Sequence, residues 1–232
     1  MRSDDSETKS KLLVILKDVD PNYKNPERRN ELVKPEKYDS IDQVAIDSIR
    51  IGTNGVAYVP ESAFSGLFQL SKAKAAYVYE NQIRDDEKRS SGGVNYAHSS
   101  AVVGLLDKKA QEVRSSDTQA LLQYARDTII NISDSTQAQD LRRKCDTLTA
   151  RVLPTLRRER GVTVDELDDV TPLGPCAAFH HTNPKEIHTD PEDVVNPDKG
   201  RNLNKDSHTE VHREQINDEQ QFEQYKKARK PT

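Results

Sequence analysis

The chain lacks tryptophan, is poor in other aromatic residues and contains no long apolar run. Of its 232 residues, 5% are aromatic and 33% hydrophobic, against 32% charged. This apolar supply suits modest helical packing rather than one large core, so two small domains are expected. No stretch approaches the roughly 18 apolar residues that span a bilayer, and the N-terminus lacks the basic-then-apolar pattern of a secretory signal. We therefore expect a soluble, cytoplasmic protein that does not contact a membrane.

Cysteine is also nearly absent. Cys145 and Cys176 are the only two cysteines, and they lie too far apart in the sequence for a CxxC-type zinc knuckle. Two cysteines are also too few for the disulfide framework of a small secreted domain. If this chain binds a metal, histidine must hold it.

Histidine is concentrated near the C-terminus, where five of the six histidines fall in a window of 33 residues. Neutral imidazole is a common protein ligand for transition metals. His180 and His181 are adjacent, and neighbours on a strand point to opposite faces. His208 and His212 are four residues apart, which places both on one face of a helix. His188 lies in an acidic loop and is expected to be solvated.

The order of these residues resembles the motif of the HNH (ββα-metal) nucleases, and the colicin-type DNases are the closest variant. The resemblance covers about residues 176–215 and comprises His-His, a loop, an Asn-Leu step and His-x-x-x-His. It implies that His181 is the general base that activates water. It also implies that one divalent ion (Mg²⁺, Mn²⁺, Ni²⁺ or Zn²⁺) is held by His180, His208 and His212.

The central asparagine of the motif has three candidates in this chain. The resemblance implies that Asn202 ties the loop together by hydrogen bonds and so orients the base. Asn202 lies nearer to His208 than the asparagine of the family usually does, so Asn196 and Asn204 are alternatives.

A basic segment precedes the motif. Residues 141–160 carry seven basic side chains and two acidic ones, whereas the net charge of the chain is −4. From residue 177 onward, eleven acidic side chains outnumber nine basic ones, so DNA binding would need the upstream arginines. The arginines expected to contact DNA are Arg142, Arg143, Arg151, Arg157 and Arg158. A solvated helix face is an equally good interpretation of the arginines alone.

Residues 11–165 are expected to form a mixed, mainly helical domain for recognition or regulation. The apolar residues 12–16 are typical of a buried strand, and the Asn54-Gly55 pair is typical of a β-hairpin turn. Residues 20–42 contain prolines and are expected to be irregular, and Ser90–Gly93 is expected to form a loop. Apolar residues at helical spacing predict three helices before residue 133.

A fourth helix is expected to begin near Asp134, whose side chain would cap it. Five apolar residues at alternating three- and four-residue steps form a seam along this helix: Ala138, Leu141, Cys145, Leu148 and Val152. Packing within the chain is the favoured interpretation of the seam. The alternative is contact with a second copy or a regulatory protein through the helical region.

The expected fold class is α+β. Residues 1–10 are expected to be disordered, and a small N-terminal β-hairpin or sheet with a helical bundle precedes an HNH-like ββα-metal domain at 170–232. The expected function is that of a metal-dependent HNH endonuclease that hydrolyses DNA phosphodiester bonds, with restriction or defence against foreign DNA as its setting. The alternatives are a non-enzymatic, metal-stabilised interaction module and a ribonuclease that uses the same motif.

Overall fold

A computed structural model describes residues 9, 11–183 and 190–229. The chain divides into two compact units, and the division falls between Lys144 and Cys145. We name Val14–Lys144 the sheet unit and the described residues outside that range the histidine unit. Both helices and sheets are present, so the expected α+β class is confirmed at that level. No helix among the described residues is long and apolar enough to cross a membrane.

The sheet unit contains a five-stranded antiparallel sheet of order β1-β2-β3-β5-β4. Its strands are β1 (Leu16–Asp18), β2 (Arg50–Gly52), β3 (Ala57–Pro60), β4 (Lys88–Ser91) and β5 (Val94–His98). The expected hairpin at Asn54-Gly55 is confirmed, since β2 pairs with β3 and Gly55 has a φ of 74°. A second hairpin joins β4 to β5 through Gly92 and Gly93, where only a loop was expected.

The first strand begins later than its sequence predicts. Regular pairing of β1 starts at Leu16, opposite Gly52, and not at residue 12. One residue earlier, the Ile15 N–H donates to the Thr53 hydroxyl at 3.1 Å. The Ile15 carbonyl accepts from the Thr53 backbone N–H at 3.0 Å, so a side chain replaces the neighbouring backbone only as the partner of the Ile15 N–H.

Five helices of the sheet unit are α1 (Pro35–Ser48), α2 (Phe64–Leu67), α3 (Lys72–Gln82), α4 (Ser99–Glu112) and α5 (Ser116–Ser133). The helical periods near 64–68, 102–113 and 121–132 are confirmed by α2, α4 and α5, but the predicted number of three helices is too low, because α1 and α3 were not predicted. The prediction of an irregular segment at 20–42 is wrong from Pro35 onward, because Pro35 opens α1 at a position where its missing N–H costs no helical bond. Sheet and helices share one apolar core, which includes Ile41, Ile51, Phe64, Leu106 and Ile129.

A long helix, α6 (Thr136–Arg160), contains the boundary between the units. Its first turn is capped by Ser135, whose hydroxyl accepts from the Ala138 N–H at 3.3 Å. Asp134, the expected cap, instead ends α5, where its N–H donates to the Ile130 carbonyl at 2.9 Å. The apolar seam packs within the chain: its first two residues belong to the core of the sheet unit and its last three to a cluster of the histidine unit.

The histidine unit continues from α6 through β6 (Ala178–His181), α7 (Pro191–Val194), a 3₁₀ turn (Pro197–Lys199), β7 (Gly200–Leu203), α8 (Lys205–Arg213) and α9 (Glu219–Arg229). β6 and β7 pair antiparallel. Phe222 of α9 is buried with Leu203 and Val211, so the C-terminal helix packs on β7 and α8.

The contact boundary lies upstream of the one expected between residues 165 and 170. Val152 and Leu156 of α6 are buried with Val195, and Phe179 of β6 packs against the same cluster. The second half of α6 therefore belongs to the unit that contains the motif.

Candidate metal centre

Three histidine side chains of the histidine unit converge. One ring nitrogen of each of His180, His208 and His212 lies within 4.8 Å of the others. The ring centroids are separated by 5.3 Å for 180 and 208, 5.1 Å for 180 and 212, and 4.5 Å for 208 and 212. The Nε2 atoms of His208 and His212 are 3.3 Å apart. Small shifts of the rings would place all three nitrogens at the distance of about 2.0–2.1 Å that a zinc–imidazole bond requires.

Two adjacent elements carry these rings. His180 lies on β6 opposite Arg201 of β7, and a single residue, Asn204, separates β7 from α8. His208 and His212 are one turn apart on α8 and therefore share a face. The short connection limits how far α8 can move from the strands that hold His180.

Gly200 allows the two strands to approach closely. It pairs with His181 in the register of the ribbon. A Cβ atom on Gly200 would lie 2.5 Å from the His180 carbonyl oxygen and closer still to the Phe179 ring. A side chain at this position would push β6 away from β7 and displace the histidine ligands.

Burial and mutual proximity favour the neutral form of the cluster. Burial, and after it the neighbouring His208 and His212, lower the pKa of His180 from 6.5 to about 4. Burial and His212 also lower the pKa of His208. His180 is only 8% exposed, whereas His212 is exposed, so the cluster opens to solvent on one side. Neutral imidazole is the form that binds a metal, so His180 and His208 are in the binding form at neutral pH.

His181 has a different environment from its neighbour. As the next residue on β6, it points to the opposite face. Its Nε2 atom lies 2.9 Å from the Val194 carbonyl oxygen, and its ring contacts the Phe179 ring edge-on at 5.1 Å. A carbonyl oxygen only accepts, so Nε2 carries the proton and Nδ1 keeps its lone pair in the neutral ring. The ring is therefore held in place with one nitrogen able to accept a proton.

The three candidate asparagines have different surroundings. Asn202 is fully buried, and its side chain donates to the Arg157 carbonyl at 2.9 Å, which joins β7 to α6. Asn196 lies in the segment between the histidine pair and β7, where its side chain accepts from the Asp198 N–H at 2.9 Å. Asn204 precedes α8, and its side chain accepts from the Gly174 N–H at 2.8 Å. Of the three, Asn196 is the one that organises the segment before β7.

Arg157, one of the five expected DNA contacts, has its guanidinium bound to the protein itself. It donates to the carbonyls of Gly174, Pro175 and Ala177 at 3.1, 3.2 and 2.9 Å. These residues lead directly into β6. Arg157 therefore fixes the strand that carries His180.

The other four arginines lie along the same helix. Arg142 donates to a backbone carbonyl at 2.8 Å, and Arg143 pairs with Asp140 at 2.5 Å. Arg151 and Arg158 are exposed on the part of α6 that belongs to the histidine unit. They are spaced seven residues apart, two turns of helix, and so lie on one face.

Two residues at the centre of the unit were not predicted. Asp165 is 1% exposed and Glu166 8% exposed, although the sequence of this acidic segment is typical of a solvated turn. The apolar neighbours Val164 and Leu167 are the signal that this segment is buried in part.

Comparisons with protein-family models, with curated proteins and with solved structures found no match for this chain. His188 and its acidic neighbour Glu186 lie outside the described residues.

Proposed function

We propose that the protein is a metal-dependent phosphodiester hydrolase, an endonuclease of the HNH type that acts on DNA. One observation carries the proposal: three imidazole nitrogens converge within 4.8 Å, and the residue that follows His180 is a fourth histidine whose ring is held by a carbonyl oxygen. The order of elements, two paired strands followed by a helix, agrees with the ββα arrangement that the sequence motif implies.

The donor set fits a divalent transition metal. His180, His208 and His212 offer only nitrogen atoms, which suit zinc, nickel and related ions, whereas Mg²⁺ prefers oxygen. The group has three members among the described residues, and catalytic zinc sites usually have three protein ligands and one open position. A bound ion would act as a Lewis acid that stabilises charge on the phosphate.

His181 would accept the proton of the attacking water at Nδ1. The hydrogen bond from Nε2 to the Val194 carbonyl keeps the ring in one orientation and one tautomer. A base that is already oriented loses less entropy on reaching the transition state. General-base assistance of this kind typically contributes about 10²–10⁴-fold to a rate.

DNA would approach along the exposed face of α6. Of the five arginines, Arg151 and Arg158 are the ones exposed on the part of α6 that belongs to the histidine unit. Contacts to phosphate contribute affinity without reading the sequence. This proposal therefore does not specify a target sequence.

A non-enzymatic metal module is the second candidate. Structural zinc sites are generally closed by four protein ligands. The three-histidine group here becomes progressively more exposed from His180 to His212, which favours a site that admits water or substrate. Cleavage of RNA would use the same chemistry at the phosphodiester, so RNA is tested as a substrate alongside DNA.

The test is cleavage of plasmid DNA and of RNA by the full chain with Mg²⁺, Mn²⁺, Ni²⁺ or Zn²⁺ in turn. His181→Gln is expected to lower cleavage by about 10²–10⁴-fold and to leave metal affinity unchanged. His98→Gln, the same change in the sheet unit, is the control and is expected to have no effect. Metal binding without cleavage of either nucleic acid would favour the module, and unchanged cleavage by His181→Gln would overturn its assignment as base.

A further inference from the structure

Asp165 and Glu166 lie outside the histidine motif but bind the two elements that carry it. Both precede the motif by at least ten residues, and both are buried. Buried carboxylates are costly unless hydrogen bonds satisfy them. Here the donors include backbone N–H groups of β7 and of the residue that precedes α8.

Asp165 binds the start of α8. One carboxylate oxygen accepts from the Asn204 N–H at 2.9 Å, and the other accepts from the Leu167 N–H at 2.9 Å. The Asn204 carbonyl in turn accepts from the His208 N–H at 2.8 Å, in the first turn of the helix. A continuous series of hydrogen bonds therefore leads from Asp165 to one of the three histidines.

Glu166 binds the strand beside α8. Its carboxylate accepts from the Asn202 N–H at 2.6 Å and from Arg160 through two bonds of 2.7 Å. Asn202 pairs with Phe179 of β6, next to His180. Consecutive carboxylates thus hold the strand ribbon and the start of the helix relative to each other.

We infer that Asp165 is a positioning residue for the three-histidine site, one that fixes the start of α8 so that His208 and His212 face His180. The inference rests on the proposed metal site. Ligand atoms tolerate only small errors in position, and outer groups that orient them typically change metal affinity by 10- to 100-fold. Asp165 acts through the backbone of α8 and does not contact the ion itself.

Asp165→Asn is the variant that isolates this contact. The amide oxygen can still accept from the Leu167 N–H, but the amide nitrogen then faces the Asn204 N–H, so that two donors oppose each other. Asp206→Asn is the matched control, since it removes the same charge from an exposed position in the first turn of α8.

The measurement is Co²⁺ binding to the full chain, followed by its visible absorption spectrum and by titration calorimetry. Asp165→Asn is expected to weaken Co²⁺ binding by about 10- to 100-fold and to change the spectrum. Asp206→Asn is expected to match the wild type. Circular dichroism and thermal unfolding in EDTA establish that each variant is folded at the temperature of the titration.

The outcomes separate this inference from the proposed function. If the wild type binds Co²⁺ and folded Asp165→Asn binds it equally well with the same spectrum, the positioning role is overturned while the metal site stands. If the wild type does not bind Co²⁺, the metal site is overturned and this inference with it.

A second pair of variants serves if Asp165→Asn does not fold. Asn204 has a φ of −65°, so Asn204→Pro fits the backbone and removes the N–H that Asp165 accepts. Asn204→Ala keeps that N–H and removes only the side chain. The inference requires Asn204→Pro to bind Co²⁺ about tenfold or more weakly than Asn204→Ala, and equal affinities would overturn it.

Discussion

Different interactions stabilise the interior of each unit. The sheet unit has a large apolar core that joins its sheet and helices, and a small second cluster around Tyr58. The histidine unit has two small apolar clusters, and the buried Glu166 carboxylate binds Arg160 and the backbone of β7. In the histidine unit, each element that carries a candidate ligand is therefore positioned by hydrogen bonds as well as by packing.

In both units a buried carboxylate joins two elements. In the sheet unit, the Asp42 carboxylate accepts hydrogen bonds of 3.0 and 2.9 Å from the Tyr124 hydroxyl. Burial, and after it this contact with Asp42, raises the pKa of Tyr124 to about 12. That contact joins two helices. In the histidine unit, Glu166 joins a strand to Arg160 of α6. We therefore expect the stability of the sheet unit to depend mainly on the volume of its buried side chains, and that of the histidine unit to depend also on its buried charges.

The largest loss of stability is expected when a large side chain is removed from the core of the sheet unit. Phe64 is fully buried, so Phe64→Ala is expected to destabilise the sheet unit by about 3–5 kcal/mol. The free energy of unfolding in urea measures this loss. Leu32→Ala, at a side chain that is 87% exposed, should change stability by less than about 0.5 kcal/mol. An equally small effect of Phe64→Ala would contradict the dependence of the sheet unit on its apolar core.

Breaking the buried ion pair is the corresponding experiment in the histidine unit. Glu166→Gln leaves Arg160 with only the exposed Asp198 carboxylate, 3.7 Å away, and is expected to cost about 3 kcal/mol of stability. Asp140→Asn breaks the exposed pair with Arg143 and should cost at most about 1 kcal/mol. Urea unfolding of both variants checks the difference, and similar losses would show that burial does not control the strength of these pairs.

The apolar part of the fold could be predicted from sequence, and the polar part could not. Apolar residues at helical spacing located α4 and α5, and the Asn54-Gly55 pair located a hairpin. β4, with the sequence KRSS, has no alternation of apolar and polar residues, so no pattern indicated that Ser90 belongs to a strand. Patterns of burial can be seen in a sequence only where the buried side chains are apolar.

The candidate site shows the same limit. The four-residue spacing of His208 and His212 and the His180-His181 pair indicated which rings could meet, because both patterns have a fixed geometry on a helix or a strand. Asp165 was not identified, since a buried aspartate and a solvated one are identical in sequence. Arg157 was expected to contact DNA because its carbonyl partners lie 17 to 20 residues away in the sequence, where no local pattern indicates them.

The stability of the metal-free histidine unit should fall in acid. The pKa of His180 is lowered to about 4 in the folded protein, whereas an unfolded histidine titrates near 6.5. A lowered pKa means that the folded state resists protonation of His180. The contribution of His180 to the free energy of unfolding is therefore complete above about pH 6.5 and is lost as the pH falls toward 4. The expected loss is about 3 kcal/mol in total.

Thermal unfolding in EDTA between pH 8 and pH 4 measures this loss. His180→Gln lacks the titrating ring but retains a polar side chain, so its stability should depend less on pH over the same interval. Identical pH profiles for the two proteins would show that His180 titrates normally in the folded chain.

The smallest effect is expected at the exposed face of α6. Arg151→Gln removes one charge that is proposed to meet a phosphate, so the slope of log K against log salt for DNA binding should become shallower by about 1. Lys108→Gln removes one exposed charge from α4 in the sheet unit and should leave the slope unchanged. DNA binding measured by fluorescence anisotropy over a range of salt concentrations gives both slopes. Equal slopes for Arg151→Gln and the wild type would exclude Arg151 from the contact, and a change with Lys108→Gln would place the DNA on the sheet unit instead.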